Sequence, residues 1–166
     1  MSSIIYFAYG SNMSLSRLRA RAPSARRLGC YVLAAHALRF HKSGRDGSGK
    51  CDAFLTSDPG DRVVGVVFDI DPAEKNRLDE AEGLGAGYNE KSVTVEGEAG
   101  ERLVVTTYWA THIDETLKPY SWYKHHVLIG AREAGLPVGY IERIEAVECL
   151  EDPDNKRDSI ERAIYR

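Results

Sequence analysis

Along the chain, apolar positions fall into short continuous or alternating runs bounded by turn residues, a pattern that predicts strands with a few helices between them. Ile4–Ala8 is a β-branched and aromatic run that stops at Tyr9-Gly10-Ser11-Asn12, so a buried strand entering a tight turn is expected there. A helix should follow, with Ser11 or Asn12 as its cap, Leu15 and Leu18 as its apolar stripe and Pro23 as its end. Residues 31–40, 52–56, 63–70, 90–95 and 103–110 are rich in Val, Leu, Tyr and Phe and read as further strands.

Between the strands, Asp71 can cap a helix whose first residue is Pro72, whose capping-box partner is Glu74 and whose end is Gly83. Another helix is expected from about Ser121 to Ala134, closed by Gly135 and Pro137; a third places Tyr140, Ile141, Ile144 and Val147 on one face. After Pro153 the chain is charged and weakly periodic. There is no internal repeat, low-complexity tract or dividing linker, so residues 1–166 are expected to form one α+β domain: a small, mostly antiparallel sheet or barrel flanked by helices.

Composition narrows the function. A net charge of -3 and a pI near 6.0 provide no basic field for nucleic acid, which favours a small-molecule partner. Cys30, Cys51 and Cys149 are odd in number and lack any CxxC pair, so they read as reduced thiols of a cytoplasmic protein rather than a disulfide frame or a zinc site. The opening residues lack the basic region and apolar length of a signal peptide, and no segment is long enough to span a membrane.

Two segments carry candidate chemistry. Asp79-Glu80-Ala81-Glu82-Gly83 closes the Pro72 helix, and the plain reading of such a run is a solvated acidic face. Glu82 stands apart because it sits in the last turn, at the negative end of the macrodipole, with Asp79 three residues earlier on the same side. Both disfavour a further negative charge and suit a carboxyl that exchanges a proton. Tyr9-Gly10-Ser11-Asn12 turns from strand to helix, where backbone N–H groups can hold a carboxylate or an oxyanion; an ordinary capped turn is the alternative. Gly44 to Cys51 nearly spells a phosphate-binding loop. However, Cys51 stands where a hydroxyl is required and a strand follows instead of a helix, so a flexible hairpin loop bordering a cleft is expected. His125 and His126 are adjacent and diverge by about 100° on a helix, unlike a metal-binding pair.

Tyr6-Phe7-Ala8-Tyr9-Gly10-Ser11-Asn12 and Leu78-Asp79-Glu80-Ala81-Glu82-Gly83, in this order and spacing, resemble the two signature segments of γ-glutamylcyclotransferases. Ser57-Asp58-Pro59-Gly60-Asp61 and the stretch from Tyr123 to Pro137 are similar to further family segments, so the likeness spans nearly the whole chain. The resemblance implies a small β-barrel flanked by helices and no cofactor or metal. It also implies a catalytic glutamate at Glu82 and a substrate pocket built from Tyr6, Phe7, Ala8, Tyr9, Gly10, Ser11, Asn12 and, after the E-G pair, Tyr88. The implied partner is a small γ-glutamyl compound, with neither nucleic acid nor membrane, and a homodimer is compatible with it. The reaction implied is cyclisation to 5-oxoproline, and the Ser-Asn ending of the loop resembles enzymes acting on γ-glutamyl amino acids. A non-catalytic module that binds γ-glutamyl metabolites is the alternative.

Overall fold

The computed structural model describes residues 2–166. Strand β5, Arg62–Ile70, is the centre of the sheet and is buried from Val63 to Phe68, as expected for a strand flanked on both edges. On one edge lies β1, Ile4–Ala8, antiparallel from Ile4↔Ile70 to Ala8↔Val66; on the other lies β2, Arg26–Ala34, with a bulge between Arg27 and Gly29. β6, Tyr88–Glu96, and β7, Arg102–Ala110, form an antiparallel ladder. Closure comes from β7 running parallel to β1 at Tyr6↔Thr106 and β6 meeting β2 at Val32↔Glu96, so the barrel order is β1-β5-β2-β6-β7. The expected α+β class and barrel are therefore present.

A two-stranded hairpin, β3 at His36–Ser43 and β4 at Gly49–Leu55, stands outside the barrel. The single strand expected over 31–40 is in fact two strands, broken at Ala35, whose φ of 62° lies in the left-handed region. Nothing about an alanine signals that break. It is set by distant backbone, since Ala35 N donates to Asp61 O while Ala35 O accepts from Thr56 N and Ser57 N. The near-phosphate loop between β3 and β4 is tied down rather than free. Asp46 accepts from Ser48 N at 3.0 Å and from Lys50 Nζ at 2.8 Å, and Lys50 Nζ lies 4.8 Å from the ring centres of Trp122 and Tyr123. β4 follows it directly, so no helix N-terminus faces the loop.

The first helix is shorter than expected. Ser11–Met13 forms one 3-10 turn and α1, Leu15–Arg19, is capped by Ser14, whose Oγ accepts from Arg17 N. Ser11 and Asn12 do not cap because their side chains have other partners, described below. A 3-10 turn at Pro72–Glu74, capped by Asp71, leads into α2, Lys75–Glu82, which ends on left-handed Gly83 as expected. Glu74 does not complete a capping box: its carboxylate accepts from Ser24 N, and Ser24 Oγ accepts from Asp71 N in its place. Helix α3, Ser121–Ala134, ends on left-handed Gly135; α4, Val138–Glu145, buries Tyr140 and Ile144. Beyond Asp154, which caps it, α5 runs Asn155–Ala163. No helix among the described residues is long and apolar enough to cross a membrane.

Candidate active site

β1 delivers Tyr6 and, just past its end, Tyr9 and Gly10 to a pit at the mouth of the barrel; α2 delivers Glu82 from its last turn. The pit, with roughly 290 Å³ of empty space open to solvent, is lined by Tyr6, Tyr9, Gly10, Ser11, Asn12, Cys51, Glu82, Tyr88, Tyr108 and Tyr123. Seven of the nine residues predicted for the site thus meet in one place. Phe7 and Ala8 do not: both are buried in the core, and neither is among the lining residues. Successive strand residues point to opposite faces, so Phe7 turns away from Tyr6, and Ala8 ends as packing beside β5.

Glu82 is held by one oxygen only. Asn12 Nδ2 donates to its Oε1 at 2.5 Å, and Arg21 NH1 lies 3.8 Å from the same atom. Oε2 makes no hydrogen bond with any described residue. Arg21 NH1 also donates to Asn12 Oδ1 at 2.7 Å, which fixes which end of the amide faces the carboxylate. Burial and the nearby Arg17 charge lower the Arg21 pKa from its ordinary value. Asp79, expected to oppose charge on Glu82, is itself matched by Lys75 at 2.5 Å and by the hydroxyl of Tyr108 at 2.5 Å. Glu80 points to solvent.

The tyrosines form a fixed wall. Tyr9 donates to Tyr108 O at 2.6 Å, Tyr88 donates to Cys51 O at 2.6 Å, and the Tyr123 hydroxyl accepts from Cys51 N at 2.9 Å. Tyr6 accepts from Asn12 Nδ2 at 3.2 Å, while its own hydrogen is committed to no described acceptor. Burial, and then the Glu82 charge, hold the Tyr6 pKa above its ordinary value, so the group remains a donor at neutral pH. Burial also pushes the Cys51 thiol up to about 12, leaving it protonated and a poor nucleophile.

The loop's backbone completes the pit. Met13 N donates to Gly10 O and Ser14 N to Ser11 O, while the amides of Gly10, Ser11 and Asn12 enter no turn or loop bond of this kind. A side chain at position 10 would press Cys51, since a Cβ there would sit 2.9 Å from Cys51 Cβ. From behind, α3 supports the loop through Gly130, and Arg17 Nε donates to Ser11 Oγ at 3.1 Å while its NH1 pairs with Glu161 of α5. His126 is wholly buried and bonded to Glu161 and Tyr165; among the described residues no group of three or more His, Cys, Asp or Glu side chains is arranged to hold a metal. Nothing in the sequence marks Arg21, Cys51, Tyr108 or Tyr123 as part of the site: the last three come from elements remote in sequence from the Tyr9–Asn12 turn, and Arg21, nearby in the chain, carries no local pattern that sets it apart from a solvated cation.

Against known proteins, the model of the AIG2-like family matches residues 62–144, half of the chain. Human γ-glutamylcyclotransferase is 34% identical over 154 residues, spanning 88% of this chain and 79% of that protein. Among solved structures, one named γ-glutamyl cyclotransferase superposes with a TM-score of 0.86 at 30% identity, covering 98% of this chain and 99% of its own. A human structure described as an uncharacterized protein reaches 0.89 at 32% identity over the whole of both chains. Fold and site therefore define a barrel of the AIG2-like class with one carboxylate beside a glycine turn. The chain belongs to the γ-glutamylcyclotransferase family.

Proposed function

We propose that this enzyme cyclises γ-glutamyl amino acids to 5-oxoproline and the free amino acid, with Glu82 as its acid-base residue. The observation that carries this reading is Glu82 itself: one oxygen is fixed by Asn12 and the other is unpaired, at a pit walled by tyrosine and backed by the Gly10–Asn12 amides. The nucleophile is the substrate's own α-amine, so the protein needs neither a reactive Cys nor an activated water. It needs to bend the glutamyl chain, which converts binding energy into orientation.

Glu82 Oε2 takes one proton from the α-ammonium. The freed amine attacks the γ-carbonyl carbon, and a C–N bond forms as the carbonyl electrons move onto oxygen. The Tyr6 hydroxyl and loop amides are the donors available to that oxyanion. Glu82 returns its proton to the leaving nitrogen as the old C–N bond breaks. Overall, the two protons shed by the α-nitrogen equal the two gained by the departing amine, so one shuttling carboxyl suffices. Tyr88, immobilised through Cys51, packs the methylene chain in this reading. Three free thiols and the size of the substrate fit a cytoplasmic enzyme.

The purified protein incubated with γ-glutamylalanine should yield 5-oxoproline and alanine in equal amounts, and added chelator should leave the rate unchanged. Intact dipeptide, or activity lost to chelator and restored by zinc or magnesium, would overturn the reading. Asn12→Ala should lower kcat about tenfold, because the variant removes a charge-assisted hydrogen bond of about 1.5 kcal/mol and frees Glu82 to close on Arg21. A kcat equal to the parent's would show that Asn12 does not position the carboxyl.

A further inference from the structure

Three lysines stand around the pit, and two of them are matched. Lys50 pairs with Asp46, and Lys75 with Asp79 and Glu90. The side-chain ammonium of Lys42, on β3, makes no ion pair and no hydrogen bond with any described residue, although the residue is half-buried. Its Nζ lies 4.8 Å from the ring centre of Tyr88, the aromatic that lines the pit beside Glu82. Gly87 lies against the lysine: a Cβ there would stand 3.0 Å from Lys42 Nζ, so a side chain at 87 would push the flexible end of the lysine aside.

A half-buried ammonium has lost part of its hydration, and an aromatic face replaces only a fraction of it, so such a group is completed by an anion. Burial lowers the Lys42 pKa, and the charge that most opposes this is Glu82; Arg45 and Asp46 act on it more weakly and with opposite signs. Lys42 reaches the pit at Tyr88, which lines it together with Glu82. In the cyclisation proposed above, both the α-nitrogen and the departing nitrogen come within reach of Glu82; with the glutamyl head against the Gly10–Asn12 turn, the leaving fragment extends toward Tyr88 and Lys42.

We infer that Lys42 is a specificity-determining residue whose ammonium binds the α-carboxylate of the departing amino acid, so that the enzyme distinguishes γ-glutamyl amino acids from uncharged γ-glutamyl amides. The inference rests on the cyclotransferase reading and adds to it the residue that reads the leaving group. Neutral leaving groups would place an uncharged end against an unpaired cation, which costs affinity without disturbing the reacting atoms.

The test compares γ-glutamylalanine with γ-glutamylalaninamide, which differ only in that carboxylate. The parent enzyme should favour the acid in kcat/KM. In Lys42→Met this preference should fall by roughly ten- to hundred-fold, the range for losing one hydrogen bond to a charged group, with the loss in KM for the acid. Lys42→Arg should retain most of the preference, and Lys42→Gln provides a second neutral variant if Lys42→Met does not fold by circular dichroism. A preference unchanged in the neutral variants, an equal loss on both substrates, or a parent that handles acid and amide alike would each overturn the Lys42 assignment while leaving the cyclotransferase reading in place. No 5-oxoproline from either substrate would overturn both.

Discussion

Glu82→Gln is expected to fold normally and bind substrate, while kcat falls by about 10² to 10⁴, the contribution of a positioned acid-base group. The substitution is nearly isosteric, and its carbonyl oxygen can still accept the 2.5 Å bond from Asn12, so the geometry of the pit is kept. What is lost is a group that can take the ammonium proton and return it to the leaving nitrogen. KM should change little, because no bond to the ground-state substrate depends on that proton. Glu80→Gln is the matched control, exposed on the same helix and expected to cost almost nothing. Circular dichroism and 5-oxoproline release check both; a nearly active Glu82→Gln, or a dead Glu80→Gln, would assign the chemistry to another residue.

A second large effect is expected at Gly130, far from the reacting atoms. Alanine is the better helix former by about 1 kcal/mol, which taken alone would stabilise α3. Here a Cβ would lie 2.4 Å from both Met13 C and Ser14 N, which are backbone atoms of the site loop and cannot rotate aside. Overpacking therefore outweighs propensity, and Gly130→Ala should destabilise by about 3 kcal/mol. That corresponds to a melting temperature roughly 6–12 °C lower for a domain of this size. The displaced Ser11–Met13 turn should also cost turnover. Gly139→Ala in α4, where a Cβ meets nothing within 4 Å, should be neutral or stabilising. An unchanged melting temperature in Gly130→Ala would show that the loop is not seated on α3.

These two residues show how unevenly the sequence displays the site. Glu82 is legible because its place in the last turn of a well-punctuated helix and its signature segment coincide. Tyr6 and the turn from Tyr9 to Asn12 are legible because a strand stops on them. β1, β5, β6 and β7 follow from period-two and continuous apolar runs, with boundaries within a few residues of those observed, whereas β2 begins at Arg26, well before the run expected over 31–40, and ends before the break at Ala35. Arg21 and Lys42 carry no such mark, since a basic residue in the turn after a short helix or on an outlying strand looks like any solvated cation until the fold brings it to Asn12 or Tyr88. Gly130 reads as a blemish in a helix, and only the close approach of Met13 gives it a reason. Phe7 and Ala8 were drawn in by the motif that contains them, although strand alternation sends Phe7 to the opposite face from Tyr6. Helix α5 was missed for want of an apolar stripe: it docks through Glu161, with Tyr165 just beyond its end, on the buried His126 and on Arg17, and polar contacts of this kind leave no periodicity to read.

The break at Ala35 is a further case in which distant partners decide local structure. Its left-handed φ is held by hydrogen bonds to residues 56, 57 and 61, so an apolar run that looks continuous is divided between the barrel and the hairpin. That division sets Lys42 and Cys51 beside the pit. Had the run continued as one strand, the tyrosine wall would lack the backbone of residue 51 on which Tyr88 and Tyr123 are anchored.

The central claim is that the substrate's own amine displaces the leaving group with no water in the bond-forming step. Turnover of γ-glutamylalanine in ¹⁸O-enriched water, with products resolved by mass spectrometry, tests it most directly. The account predicts 5-oxoproline without incorporated ¹⁸O, together with unlabelled alanine, and no glutamate above the blank. Glutamate carrying one ¹⁸O would show that Glu82 activates water rather than the α-amine, and would contradict cyclisation.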